Sequence, residues 1–189
     1  MATQPNFYVA LLHDKMVDKT GKLVMTSVTL IDTHDISRSC RTYGALGFFV
    51  AHPSQTTRAL VRTIKEHWDT GFGSTYNPNR QDALGRLTIV TDLDEAVMQV
   101  ERRTGKLPKL IATSARDGAD RISYAAMRET ILSTEAPFLL MFGTGWGMSE
   151  ELMSRADYTL KPINGPTEYN HLSVRAACAI TLDRLWGQI

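Results

Sequence analysis

Five short runs of apolar residues, each followed by an amphipathic stretch, constrain the fold of this chain more than any other feature. "FYVALLH" (7–13), "GFFVAHP" (47–53), "RLTIV" (86–90), "KLIATS" (109–114) and "PFLLMFG" (137–143) are near-continuous in apolar side chains rather than alternating. A strand of that kind is buried on both faces, as in a parallel sheet carrying helices on either side. The stretches between them read as helices at 34–44, 54–69, 92–105, 123–132, about 149–154 and about 171–186. In 54–69, Ala59, Leu60, Ile64, His67 and Trp68 recur at helical spacing opposite Arg58, Arg62 and Lys65. Segment 18–22 reads as a turn, 70–80 as a loop and 157–161 as a further strand. This alternation predicts an α/β fold with a mostly parallel sheet, in a single domain over residues 1–189.

Bulk properties narrow the function classes. A net charge of +1 gives no global positive field. Two cysteines, Cys40 and Cys178, are too few for a disulfide scaffold or a zinc centre, so buried thiols in a reducing cytosol and no metal are expected. "MATQPNFYVALLHD" has no basic region ahead of an apolar stretch, and the longest apolar runs are far shorter than a bilayer span. The expectation is a soluble cytoplasmic protein.

The segment "FGTGWGMSEEL" (142–152) leaves a predicted strand and enters a predicted helix, the place where ligands sit in parallel sheets. Gly143, Gly145 and Gly147 fall within five positions. A P-loop needs a lysine that is missing here, and a dinucleotide fingerprint belongs in the first strand–helix turn with different glycine spacing. Ser149 suits an N-cap, while Glu150 and Glu151 suit the helix dipole and oppose a pyrophosphate. A ligand with little negative charge fits better, and a tight turn needing glycines for packing alone is the alternative. Near the C-terminus, "ADYTLKPINGPTEYNHLSVRAACAITLDRLWG" (156–187) carries the small-residue run Ala176–Ala179, consistent with close helix packing.

Three segments, in this order, resemble the SPOUT methyltransferases, whose knotted α/β fold binds S-adenosylmethionine. They are "DISRSCRTYGALGFFVAHP" (35–53), "LLMFGTGWGMSEEL" (139–152) and "YTLKPINGPTEYNHLSVRAACAI" (158–180). The pattern is most similar to a small branch of RNA methyltransferases related to tRNA guanine-N1 methyltransferase, which shares the His67–Arg80 motif "HWDTGFGSTYNPNR". Ribose 2′-O members often place a glutamate in the glycine loop, where Gly145 and Trp146 stand here. They often carry "SLNVS" where this chain has "NHLSVR".

The resemblance implies a C-terminal trefoil knot, a homodimer, an RNA substrate (tRNA or rRNA, methylated on base or ribose) and S-adenosylmethionine as cofactor. Met141, Phe142, Gly143, Thr144, Gly145, Trp146 and Gly147 are then expected on the methionine and ribose side. Ile163, Asn164, His171, Leu172 and Ser173 are expected around adenine. Arg38 falls where family members keep a catalytic or RNA-binding arginine, and Arg41 lies on the same helix face. Asp32, His34 and Asp35 precede the helix predicted at 34–44; one is a candidate general base, with Asp35 foremost, or an N-cap. His171 is a second candidate base, or makes a loop hydrogen bond. Tyr76 and Arg80 suit stacking on splayed bases and pairing with phosphate, or closure over a partner subunit, or an ordered surface loop. Trp68 and Trp186 read as core or interface anchors. An S-adenosylmethionine-binding regulatory or RNA-binding protein without methyl transfer is the alternative reading.

Overall fold

The computed structural model describes residues 6–188; the first five residues, part of the segment read as lacking a leader, lie outside the described residues. The chain runs β1 (Phe7–Leu12), β2 (Met16–Val17), β3 (Leu23–Val24), α1 (Leu30–Thr42), β4 (Gly47–Ala51), α2 (Gln55–Asp69), α3 (Phe72–Tyr76) and α4 (Pro78–Gly85). It continues through β5 (Leu87–Val90), α5 (Leu93–Thr104), β6 (Lys109–Ala112), α6 (Tyr124–Ser133), β7 (Phe138–Gly143), α7 (Glu150–Met153), β8 (Tyr158–Thr159) and α8 (Val174–Trp186). Six strands form one sheet in the order β5-β4-β1-β7-β6-β8, and every neighbouring pair is parallel. The two-residue strands β2 and β3 form a separate antiparallel hairpin.

Both faces of the sheet are covered. Phe7, Val9 and Leu11 of β1 point into a layer built on Ile36 and Cys40 of α1, Met127 of α6 and Cys178, Leu182 and Leu185 of α8. The alternate residues Tyr8, Ala10 and Leu12 face Leu93, Ala96 and Val100 of α5 and Leu152 of α7. This alternation, with both sets apolar, is why each strand reads as a continuous run. Trp186 stacks on Phe7 with ring centroids 3.7 Å apart and 13° between planes, which makes it a core anchor. Truncating Phe7 would remove about 3–5 kcal/mol by the usual cost of such a cavity.

Three boundaries differ from the sequence reading. Helix α1 starts at Leu30, four residues before the predicted start, with Thr29 in the extended N-cap conformation. None of Asp32, His34 and Asp35 is therefore the N-cap; all three lie within the helix. The stretch 70–80 is not a loop but holds α3 and the start of α4. Asn77 caps α4 by accepting from the Arg80 amide, and Pro78 occupies the first turn, where its missing N–H costs nothing. The last helix begins at Val174, because residues up to Ser173 remain extended.

Register fixes where the site forms. Leu12 pairs with Ala51 on one side and Gly143 on the other, so β1, β4 and β7 end level. The segments leaving β1, β6 and β7 therefore gather outside one edge of the sheet, where the chain's strand order reverses.

Candidate functional site

The three glycines at the end of β7 and in the loop that follows are required for different reasons. A Cβ on Gly143 would lie 2.6 Å from Met148 Cγ and 3.1 Å from the Met148 amide nitrogen. Gly145 and Gly147 adopt φ of +61° and +108°, conformations unfavourable for a residue with a side chain. The hairpin that follows β1 supports this loop from behind. The Val17 amide donates to the Gly147 carbonyl at 2.9 Å, and the Ser149 amide to the Lys15 carbonyl at 3.0 Å. Lys15 is itself held at φ 56°, and its ammonium lies 2.5 Å from Glu151 Oε1. Glu151 is thus paired with Lys15, and neither it nor Glu150 lines the neighbouring cleft. The acids that do line it are Asp32 and Glu168.

That cleft has a volume of about 830 Å³. One wall is Phe142–Met148. A second is Thr26, Ser27 and Thr29, from the segment between the hairpin and α1, with Asp32 from the first turn of α1. A third is Thr113–Arg116 after β6, and the fourth runs through Lys161, Ile163 and the entry to α8. The walls are joined by hydrogen bonds. Thr144 Oγ1 donates to the Leu12 carbonyl at 3.1 Å and contacts Thr26 Oγ1. Arg116 donates to the Trp146 carbonyl at 3.2 Å, and Asn170 Nδ2 to the Ala115 carbonyl at 2.9 Å. Arg175, in the first turn of α8, pairs with Asp32 of α1 at 3.0 Å.

Two buried histidines fix the Thr26 segment. The Ser54 amide donates to His52 Nδ1 at 3.0 Å, so the proton sits on Nε2, which donates to the Thr26 carbonyl at 3.2 Å. The Thr26 amide donates to the His13 carbonyl at 2.8 Å, while His13 Nδ1 donates to the Ala51 carbonyl at 3.0 Å. Burial holds His13 neutral by lowering its pKa to about 4, against a smaller opposing effect of the Ala51 hydrogen bond.

The residues expected around the cofactor mostly converge here. Phe142, Gly143, Thr144, Gly145, Trp146, Gly147, Ile163, His171, Leu172 and Ser173 all line the cleft. Met141 does not: it is fully buried on the opposite face of the sheet, with Leu139 and Leu152. Asn164 is exposed and accepts from Asn170 Nδ2 at 3.4 Å. Asp35 lies outside the cleft lining, against His34 Nδ1 at 3.2 Å and Arg175 Nε at 3.7 Å. Arg38 is exposed on α1, also away from the lining. Arg41 pairs with Asp82 of α4 at 2.5 Å, and Arg80 lies 4.6 Å over the Trp68 ring. Tyr76 is 74% exposed and pairs with the equally exposed Phe72, ring centroids 6.1 Å apart.

Sequence reasoning missed Thr26, Ser27, Thr29 and Thr113–Arg116. The signal available for 113–116 was its place directly after a predicted strand. Thr26 and Thr29 lay in "TSVTL", which carries no marker of its own. Among the described residues no group of three or more His, Cys, Asp or Glu side chains is arranged to hold a metal ion.

A family model described as SAM-dependent RNA methyltransferase matches residues 6–187. A tRNA (guanine-N(1)-)-methyltransferase of Nitratidesulfovibrio vulgaris is 44% identical over 182 residues, 96% of this chain but 42% of that relative. The chain therefore spans less than half the length of that relative. An uncharacterized protein of Aquifex aeolicus is 36% identical over 183 residues, covering 97% of this chain and 89% of that one. Among solved structures, the SpoU methyltransferase AviRb of Streptomyces viridochromogenes, in complex with AdoMet, superimposes with a TM-score of 0.55 at 16% identity. That match covers 97% of this chain and 58% of AviRb. The likeness to AviRb is one of fold, and the family match extends over nearly the whole chain: it belongs to the SAM-dependent RNA methyltransferases.

Proposed function

We propose that this chain transfers a methyl group from S-adenosylmethionine to RNA, with tRNA as the substrate class. The observation that carries the reading is the glycine-walled cleft at the carboxyl ends of β1, β6 and β7, in a chain matched by the family model over residues 6–187. The lining fits the cofactor. Its volume, about 830 Å³, falls in the range of roughly 300–1,000 Å³ that takes a drug-sized ligand. The glycine loop offers backbone groups without a lysine for phosphate, and the exposed Glu168 carboxylate in the lining suits a cationic ligand. When bound, S-adenosylmethionine supplies a methyl group already activated by a positive sulfur.

The chain's own residues then have separable tasks. Gly143–Gly147 shape the wall against which the cofactor's methionine and ribose lie, and Ile163 with His171–Ser173 cover adenine. Met141 supports the wall from the other side of the sheet, and Asn164 holds Asn170. Arg38 and Arg41, on the exposed side of α1, meet RNA phosphate, while Tyr76 beside Phe72 offers a stacking face. Arg80 braces Trp68 beneath that face. His171 contacts the acceptor nucleotide.

The resemblance-derived knot and homodimer belong to the same proposal. The return of α8 onto α1, with Asn170 of the segment before α8 bonded to Ala115 after β6, supports the knot. Leu30 and Ile31, 45% and 53% exposed beside the cleft, support a partner subunit there. The setting proposed is the cytoplasm; no helix among the described residues is long and apolar enough to cross a membrane.

The experiment is transfer of tritium from methyl-labelled cofactor to purified tRNA and rRNA, with nucleoside mass mapping of the product. Transfer to tRNA by a protein that elutes as a dimer is expected. Calorimetric cofactor binding without transfer to any RNA would favour the binding-module reading instead.

A further inference from the structure

We propose that Asp32 takes the proton displaced from the acceptor atom during methyl transfer, and that Arg175 is the residue positioning it. This rests on the RNA methyltransferase reading above and adds the residue that completes its proton balance.

Asp32 is the α1 carboxylate that reaches the cleft, and it is 9% exposed. Both of its oxygens are oriented. Thr29 Oγ1 donates to Oδ2, and Arg175 Nη1 lies 3.0 Å from Oδ1. A carboxylate has about four lone-pair sites, so two bonds fix its plane and leave capacity to accept another hydrogen. The other proton acceptors in the lining lack such orientation. Glu168 is exposed, and among the described residues no hydrogen bond fixes its carboxylate. His171 is exposed, with its ring edge against Tyr169 at 5.4 Å. Arg116, Lys161 and Arg175 are cations and serve as donors.

The step balances without a further reagent. The bond between sulfur and methyl carbon breaks, its electron pair staying on sulfur. The acceptor nitrogen or oxygen forms the new bond to that carbon, and its proton passes to the Asp32 carboxylate and on to water. Arg175 also lies 3.7 Å from Asp35, so one guanidinium ties both α1 acids to α8. Arg175 from α8 is ion-paired with Asp32, and the charge of Asp32 reaches His13 just after β1; on its own helix, Asp35 shares Arg175 and His34 pairs with Asp35. Arg116, Lys161 and Glu168 line the same cleft.

The test compares the full-length wild type with Asp32→Asn and Arg175→Ala, using methyl transfer to tRNA across pH 6–9 and calorimetric S-adenosylmethionine binding. Asp32→Asn is expected to lower kcat by roughly 10²–10⁴, the usual worth of a positioned acid–base group. KM for tRNA and the cofactor Kd should stay within about threefold. Its rate should climb with pH as the acceptor ionises unaided, against a flatter wild-type profile. Arg175→Ala should lower kcat about tenfold and recover with added guanidinium, which covers the case in which Asp32→Asn does not fold. A kcat within about threefold of wild type in either folded variant overturns the proposal. So does a loss of cofactor binding in Asp32→Asn that matches its loss of rate. A wild type that methylates no RNA removes the RNA reading and this inference together, whereas an active wild type with an unimpaired variant removes the inference alone.

Discussion

The cleft and the arm formed by α2, α3 and α4 are built on opposite plans. In the cleft, much of the wall is positioned by backbone: glycines at positive φ, main-chain carbonyls bonded to Thr144, Arg116 and Asn170, and buried histidines tying Thr26 to strand ends. In the arm, the fifteen-residue α2 has Val61 as its fully buried residue, and α3 leaves Phe72 and Tyr76 at 76% and 74% exposure. A backbone-built site tolerates little change in shape and needs none to bind a small ligand. A surface of exposed aromatic rings and arginines gains its contacts from the partner laid upon it. Apart from Met141 and Asn164, the residues anticipated for cofactor and for RNA separate along this line, the first set around the cleft and the second on the arm and α1.

The contrast can be broken at the glycine loop. Gly145→Val adds a β-branched side chain at φ +61° with its Cβ 3.1 Å from Thr26 Cγ2, whereas Gly147→Ala at φ +108° meets open space. Gly145→Val should weaken calorimetric S-adenosylmethionine binding at least about 100-fold, roughly 3 kcal/mol. Gly147→Ala should cost about tenfold through backbone strain alone. Equal, small losses would mean that the loop yields and is not a preorganised wall.

A second test lies in pH. The His13 pKa is lowered to about 4 in the folded chain from an ordinary 6.5. The unfolded chain therefore takes up a proton first. Stability is whole above pH 6.5 and falls as pH drops from there towards 4, by roughly 3 kcal/mol at the lower end from this group alone. Urea melts at pH 7.5, 5.5 and 4.5 should show that decline, and His13→Gln should flatten it. An equal decline in the variant would place the acid sensitivity elsewhere.

The smallest effects are expected on the arm and the exposed side of α1. Phe72→Ala with Tyr76→Ala should weaken tRNA binding about tenfold, the low end of base–aromatic stacking, and leave cofactor affinity unchanged. Arg38→Ala should lower the slope of log affinity against log salt by about one, as for one phosphate contact. A change in cofactor binding in either variant would show that arm and cleft are one unit.

How much of this was legible depended on whether a feature was local. The parallel sheet was written in runs such as "FYVALLH" and "PFLLMFG", because burial on both faces leaves no polar residue inside a strand. The glycine loop was legible for the same local reason. Its reading erred in one respect: Glu151 turns to Lys15, a residue 136 positions away, and the carboxylates beside the ligand space are Asp32 and Glu168. Helix α1 began early because Leu30 and Ile31, 45% and 53% exposed, do not continue the buried face, and periodicity therefore started only later. The arm was the reverse case. "YNPNR" does contain an Asn N-cap followed by Pro in the first turn, but its density of turn residues outweighed that signal. Met141 was placed with the cleft because strand alternation was not carried through to the last residues of β7.

The ion pair between Asp32 and Arg175 spans 143 residues of sequence. Every wall of the cleft but one exists once β7 and its loop have formed; the last waits for the entry to α8. During synthesis the N-terminal strands and α1 can collapse while the C-terminal helix is still inside the ribosome. The long closure that joins α8 to α1 comes at the end and is slow by its topology. A nascent or C-terminally clipped chain would then carry most of the sheet but lack the fourth wall of the cleft.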